Sequence, residues 1–156
     1  MSRFFNRLAE GVFDEEDLKL RTEELAGFIE EASKRYRLEP SELLAVGFSN
    51  GANIAASLLM LRPDLLRGLV LLRPMVPFEP EALPDLTGVR LFVAAGELDQ
   101  MVPRENTERL VDLLRDAGAE IQVRWQRTGH GLVREEVEET RRWLSQAVHG
   151  ETTGIG

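Results

Sequence analysis

Residues Leu43 to Asn53 read LLAVGFSNGAN, an apolar run that ends at a serine between two glycines. The apolar run predicts a buried strand, and the apolar residues that follow it at helical spacing predict a helix that ends near Leu61. A serine on a sharp turn between strand and helix points its hydroxyl outward, and glycines two residues away leave room for that turn. Ser49 is therefore a candidate nucleophile, and the alternative is that it only caps the helix.

Four apolar runs alternate with helical patterns along the chain. The runs cover 43–48, 68–72, 89–95 and 120–125, and the helical patterns cover 14–37, 50–61, 103–116 and 132–148. Strands that alternate with helices over short connections predict an α/β fold, a mostly parallel sheet with helices on both faces. The length fits one domain, which we assign to 1–150, followed by a flexible tail over 151–156.

The composition of the chain argues against several classes of partner and site. The chain has 156 residues, 43% apolar and 29% charged, which is ordinary for a soluble globular protein. A formal net charge of −8 disfavours nucleic acid and anionic membranes as partners. The absence of cysteine excludes disulfides and thiolate metal sites. No leader peptide or apolar run near the length of a membrane span is visible, so we expect a cytoplasmic protein.

Two later strands are followed by residues that suit a nucleophilic serine. Asp99 lies in GELDQMVP after the third apolar run, and His130 lies in TGHG after the fourth. Functional groups of parallel sheets gather at the carboxyl ends of the strands, where Ser49 is also expected. A serine hydroxyl needs an imidazole to take its proton and a carboxylate to orient the imidazole. The chain order serine, aspartate, histidine is the order expected for an α/β-hydrolase.

Other roles remain open for these residues. Asp99 precedes a Val-Pro helix start and could serve only as a turn residue, in which case Glu97 is the alternative carboxylate. His130 could be a solvated loop histidine, and His149 near the tail is expected to be solvent-exposed. Two histidines, no H-E-x-x-H pattern and no cysteine argue against a zinc site. We expect no metal and no cofactor.

The motifs resemble those of the phospholipase/carboxylesterase family of α/β-hydrolases. The resemblance rests on GFSNGAN at 47–53, GELDQMVP at 96–103 and the Gly129-His130 pair, and it covers most of the chain. It implies hydrolysis of small or medium carboxylic esters without a cofactor. The elbow would supply the backbone N–H of Asn50 to the oxyanion hole, at the positive end of a helix.

The beginning of the chain also resembles part of this family. RFF at 3–5 and EGVFD at 10–14 are similar to a segment in the middle of the hydroquinone-resistance type of carboxylesterase. In the family, further strands and a His-Gly-x-Gly-Gly loop that donates a second oxyanion amide precede this point. This chain has no such motif, so we expect its N-terminal strands to be missing and its turnover to be weak. The strand over 43–48 would then have an unpaired apolar edge, which a second copy of the chain could cover.

The predicted function is that of a serine hydrolase that cleaves small or medium carboxylic esters through an acyl-enzyme, with the triad Ser49, His130 and Asp99. A thioesterase or amide hydrolase would use the same triad, and a non-catalytic or weakly active hydrolase-like fragment is the alternative from another class. The proline-rich segment 73–88 is interpreted either as a lid or pocket wall or as surface packing. The predicted walls of a substrate pocket are Met75, Val76, Phe78, Leu98 and Met101, with Phe4 and Phe5 near its mouth.

Overall fold

A computed structural model describes residues 7–9 and 12–149, and a parallel four-stranded sheet organises them. In chain order the elements are β1 (Arg7–Ala9), β2 (Val12–Phe13), α1 (Glu15–Tyr36), a short 3-10 helix (Pro40–Glu42), β3 (Leu44–Phe48), α2 (Asn50–Leu61), β4 (Gly68–Leu72), β5 (Arg90–Gly96), α3 (Arg104–Asp116), β6 (Glu120–Gln126) and α4 (Arg134–Val148). The sheet order is β3-β4-β5-β6, and all three strand pairs are parallel. This confirms the predicted α/β fold.

The first strands form a hairpin that the sequence pattern did not predict. β1 pairs with β2 in an antiparallel ladder, whereas the lack of alternation before Asp14 predicts no strand there. The register of the ladder shifts between Arg7 and Ala9. A shift of this kind breaks the two-residue period by which strands are recognised, and this explains why the hairpin was missed.

The central strands bury both of their faces, as their unbroken apolar runs predict. In β4 every residue is buried, and successive side chains belong to different cores. Leu69 and Leu71 pack in the larger core with residues of α1, α2 and α3. Val70 and Leu72 pack in the smaller core with Trp143 of α4. Helices therefore cover both faces of the sheet, since alternate strand residues point to opposite sides.

Helix α1 contacts the rest of the fold through one side. Leu18, Thr22 and Ala26 are buried and lie one turn apart, so they form one stripe of the helix. Helical spacing predicts that Phe28 and Tyr36 also belong to the buried side, but Phe28 is 70% exposed and Tyr36 is 67% exposed. The prediction is wrong for both residues, for different reasons. Phe28 lies about 80° around the helix from Leu18, on the side away from Thr22 and Ala26. Tyr36 is on the same side as Leu18 but is the last residue of α1.

β3 forms one edge of the sheet. Among the described residues it pairs with β4 alone, and Val46 and Phe48 keep much of their surface exposed. The unpaired apolar edge expected from the sequence is therefore present in this part of the chain. Pairing of that edge with a second copy stays a prediction.

The contact between β3 and α2 leaves no room for a side chain at Gly47. A Cβ atom added there would lie 2.5 Å from the carbonyl carbon of Gly51 and 2.7 Å from the backbone nitrogen of Ala52. These are backbone atoms that cannot move without displacing the helix. We expect Gly47→Ala to lower the free energy of unfolding by about 2–3 kcal/mol, measured from the midpoint of urea denaturation.

Gly27 provides a matched control for this substitution. It lies within α1, and a Cβ atom added there would have no neighbour within 4 Å. Because alanine favours the helical state over glycine, Gly27→Ala is expected to raise the free energy of unfolding by about 1 kcal/mol. Equal denaturation midpoints for the two variants would contradict the close-packed elbow.

Candidate active site

Ser49 occupies a strained backbone conformation between β3 and α2. Its φ of 56° and ψ of −114° are rare for a residue with a side chain. Two hydrogen bonds hold it there, from its own N–H to the Leu72 carbonyl at 2.8 Å and from the Asn53 N–H to its carbonyl at 3.0 Å. The side chain of Ser49 makes no capping hydrogen bond to α2, which disfavours the alternative that it is only a helix cap.

His130 lies between Ser49 and Asp99. Its Nδ1 is 2.8 Å from Oδ2 of Asp99, and its Nε2 is 2.9 Å from Oγ of Ser49. A carboxylate accepts hydrogen bonds and does not donate them, so Nδ1 carries the ring proton. Nε2 is then left to accept the hydroxyl proton of Ser49. The side chain of Asp99 is 1% exposed and that of His130 is 21% exposed. The chain of hydrogen bonds from Asp99 to His130 therefore runs from the interior towards the surface.

Asp99 makes two kinds of contact, one through each oxygen. While Oδ2 faces His130, Oδ1 accepts the backbone N–H groups of Met101 at 2.8 Å and Val102 at 3.1 Å. Asp99 therefore fixes its own turn and also contacts the imidazole, so the two roles considered from the sequence do not exclude each other. Glu97, the alternative carboxylate, is exposed.

The loop that carries His130 crosses the end of β5 at close range. A Cβ atom added to Gly96 would lie 2.3 Å from the carbonyl oxygen of Gly129 and 2.5 Å from that of Thr128. The Leu98 N–H donates to the Thr128 carbonyl at 3.0 Å. Glycine at position 96 thus allows the aspartate turn and the histidine loop to meet.

Sequence reasoning missed a buried ion pair beneath this loop. Arg73 directly follows β4 and Glu136 lies in the first turn of α4, and each residue is 1% exposed. Their side chains form an ion pair of 2.6 Å. The position of Arg73 at the carboxyl end of a strand was a signal available in the sequence, because Ser49 and Asp99 also follow strand ends.

Two asparagines tie the segment after Arg73 to the helices. The side chain of Asn53 accepts the Met75 N–H at 2.7 Å, and the side chain of Asn106 accepts the Val76 N–H at 2.7 Å. Met75 and Phe78 are buried in the larger core, and Val76 packs against it. These contacts tie the segment to the fold, and its role as a lid or pocket wall stays a prediction.

The remaining predicted pocket residues fall into two groups. Leu98 and Met101 flank Asp99 in the chain, and both keep about half of their surface exposed. Phe4 and Phe5 lie outside the described residues. The assignment of a substrate pocket to these residues stays a prediction.

Two further observations concern only the part of the chain that the structure describes. No group of three or more histidine, aspartate or glutamate side chains there is arranged to hold a metal ion. None of its helices is both long enough and apolar enough to cross a membrane.

The fold and the arrangement of serine, histidine and aspartate at the strand ends are those of an α/β-hydrolase. The profile of the phospholipase/carboxylesterase family matches residues 6–148. The chain belongs to this family of hydrolases, as the motifs in the sequence indicate.

Individual relatives agree with this assignment. The MhqD hydrolase of Bacillus subtilis (strain 168) is 48% identical over 148 residues, which is 95% of this chain and 74% of the relative. The carboxylesterase of Bacillus cereus superposes with a TM-score of 0.89 at 46% identity, over 93% of this chain and 68% of that one. A carboxylesterase from Mesorhizobium loti gives a TM-score of 0.83 at 33% identity, over 92% and 68% of the two chains.

Proposed function

We propose that the chain hydrolyses small or medium carboxylic esters by acyl transfer, with Ser49 as nucleophile, His130 as general base and Asp99 as the residue that orients the base. The observation that carries this proposal is a chain of two hydrogen bonds. One joins Asp99 Oδ2 to His130 Nδ1 at 2.8 Å, and the other joins His130 Nε2 to Ser49 Oγ at 2.9 Å. Both distances are those of hydrogen bonds, and the one between Ser49 and His130 is short enough for proton transfer. Membership of the carboxylesterase family supports the ester as substrate class.

The proposed reaction has two halves. Ser49 Oγ attacks the ester carbonyl carbon while its proton passes to Nε2 of His130, and the carbonyl oxygen becomes an oxyanion. The intermediate collapses, the bond to the alcohol breaks, and the alcohol oxygen takes the proton from His130. Water then attacks the acyl-enzyme with His130 again as base, and the carboxylic acid leaves with Ser49 regenerated.

The N-terminal turn of α2 is the proposed source of oxyanion stabilisation. Asn50 is the first residue of that helix and directly follows Ser49. Its backbone N–H lies at the positive end of the helix dipole, where developing negative charge is stabilised. A single donor of this kind is commonly associated with a factor of about 100 to 1,000 in turnover.

Leu98 and Met101 are the proposed first contacts of the substrate. They are exposed apolar residues on the turn that holds Asp99. The ring centroid of Phe48, another partly exposed apolar residue, is 5.5 Å from that of the His130 imidazole. Apolar surface beside the nucleophile suits an acyl or alkyl group. The contribution of Met75, Val76 and Phe78 to the same pocket forms part of the proposal.

A fluorophosphonate probe tests this function directly. The purified chain is treated with the probe, digested with trypsin and sequenced by mass spectrometry, and we expect one labelled serine, Ser49. Ser41 and Ser57 lie in the same tryptic stretch and serve as internal controls, because only the serine next to a base is activated. Ser57 in particular is buried and hydrogen-bonded to Thr22.

Hydrolysis assays then define the substrate class. We expect p-nitrophenyl acetate to be cleaved by the same preparation, and a thioester and an anilide of the same acyl group distinguish an esterase from a thioesterase or amide hydrolase. Label on a serine other than Ser49 would contradict the proposed mechanism. The same holds if the folded chain is labelled no more than the denatured chain.

A further inference from the structure

The largest fully buried side chain among the described residues is a cation, Arg73. Its Nη1 donates to Oε2 of Glu136 at 2.6 Å and its Nη2 donates to Oε1 at 2.7 Å. This is the paired geometry in which a guanidinium and a carboxylate match best. The charges are balanced, yet removing both from water is costly, and such pairs often give no more stability than apolar residues of similar volume. Stability alone is therefore a weak reason for an ion pair at this place.

The same guanidinium holds the loop that carries His130. Nε of Arg73 donates to the carbonyl oxygen of Gly129 at 3.1 Å, and Nη2 donates to that of Gly131 at 2.9 Å. These two carbonyls belong to the residues on either side of His130. Arg73 therefore contacts the backbone on both flanks of the histidine.

Glu136 adds a third attachment to the loop. Its Oε1 accepts the backbone N–H of Val133 at 3.1 Å, where the loop enters α4. Together, Arg73 and Glu136 hold the loop at Gly129, Gly131 and Val133. The ion pair links the end of β4 directly to the start of α4, and both of its residues also hold the loop.

The backbone of Arg73 is itself constrained toward this geometry. Its φ is 59°, a value that side chains disfavour, and its N–H donates to the Ala94 carbonyl at 2.9 Å. Ser49 has a φ of 56° at the end of the neighbouring strand. Strained non-glycine residues tend to occur where the surrounding structure holds a functional group in place. The two strained positions lie on adjacent strand ends. Ser49 contacts the ring of His130, and Arg73 contacts the backbone next to it.

We propose that Arg73 and Glu136 form a positioning pair that keeps Nε2 of His130 within hydrogen-bonding distance of Ser49 Oγ. This inference rests on the proposed function. His130 lies between two glycines, and glycine loses more conformational freedom on folding than any other residue type. Asp99 orients the ring but does not restrain the flanking backbone, whereas the carbonyl contacts of Arg73 do.

Lysine cannot replace arginine in this role. Arg73 uses four of its five N–H donors, two on the carboxylate and two on the carbonyls, in the plane of the guanidinium. Lysine would keep the charge at 73 but presents three donors from one nitrogen, so it cannot reach both flanks and the carboxylate at once.

Arg73→Lys is the first test. We expect kcat for p-nitrophenyl acetate to fall about 10- to 100-fold with KM within about twofold, because the misplaced base weakens the transition state and not substrate binding. The matched control is Arg21→Lys, which changes an exposed arginine paired with Glu24 on α1 and is expected to leave both constants unchanged.

A second variant separates positioning from folding. Arg73→Met combined with Glu136→Leu removes both charges, so no buried charge is left unpaired, while the carbonyl contacts are also lost. We expect this double variant to melt cooperatively, like the parent, and to show the same loss of kcat. A double variant with the kcat of the parent would overturn the proposal.

The resonance of the His130 Nδ1 proton gives a readout that does not depend on turnover. In the parent we expect a downfield NMR signal from the hydrogen bond to Asp99, and in both variants we expect it to broaden or disappear. An unchanged signal in the folded double variant would overturn the positioning role. If no serine of the parent is labelled and the parent cleaves no ester, the proposed function fails. The Nδ1 proton signal then decides by itself whether Arg73 and Glu136 position His130.

Discussion

Ser49→Ala is expected to lower kcat/KM for p-nitrophenyl acetate by about 10,000-fold or more and to abolish fluorophosphonate labelling. The substitution removes the hydroxyl that lies 2.9 Å from Nε2 of His130, so the proposed acyl-enzyme cannot form. Loss of the nucleophile from a comparable triad costs about 2,000,000-fold in kcat. The measurement is the initial rate of p-nitrophenol release by parent and variant at equal concentrations of folded protein.

Ser57→Ala provides the matched control, on the helix that follows Ser49. Ser57 lies in α2 and its hydroxyl is 2.8 Å from that of Thr22, which already donates to the Leu18 carbonyl at 2.7 Å. The serine O–H is therefore the donor to Thr22, and its loss is expected to cost about 1 kcal/mol of stability. Activity should stay close to that of the parent. A Ser49→Ala variant no less active than Ser57→Ala would refute the nucleophile assignment.

Asp99→Asn is expected to reduce kcat/KM by about 10,000-fold while the chain stays folded. The carbonyl oxygen of asparagine can still accept the N–H groups of Met101 and Val102, so the turn at this position is retained. The amide NH₂ would then face Nδ1 of His130, which must accept the hydrogen bond and lose its proton. The ring proton moves to Nε2, and an Nε2 that carries a proton cannot take one from Ser49. Steady-state kinetics and the urea midpoint are measured on the same samples.

Asp85→Asn is the control for the turn itself. Asp85 also accepts a backbone N–H two residues ahead, from Thr87 at 3.0 Å, and its contacts include no histidine. We expect this variant to keep the activity of the parent. If Asp99→Asn were within about tenfold of the parent, Asp99 would be a turn residue and not the partner of a catalytic base.

The strong periodic patterns of the sequence predicted the main elements well. Helix α2 was predicted over 50–61 and is observed at Asn50–Leu61, because apolar spacing defines its length and Arg62-Pro63 ends it. The unbroken apolar runs of β4 and β5 predict strands buried on both faces, as observed, whereas β3 and β6 keep exposed positions. Where a pattern was irregular, as in the hairpin of β1 and β2, the prediction failed.

Contacts between distant segments were harder to predict. Arg73 and Glu136 are 63 residues apart, and a charged residue on a loop or in an acidic helix is usually exposed. Only the packing of β4 beneath the histidine loop makes both residues buried partners. Phe28 and Tyr36 show the converse, since both are exposed although their helical spacing predicts burial. Phe28 lies to one side of the buried stripe, and Tyr36 is the last residue of α1.

The sequence by itself determined the α/β class, the family and the identity of the serine, aspartate and histidine in the proposed triad, because local spacing and turn chemistry are written in consecutive residues. The tertiary structure alone decided that Ser49 and His130, 81 positions apart, lie 2.9 Å from each other. It also decided that Arg73 holds the carbonyls on both sides of His130. Distances of this kind depend on how parallel strands align their carboxyl ends, and a pattern along the chain does not record that alignment.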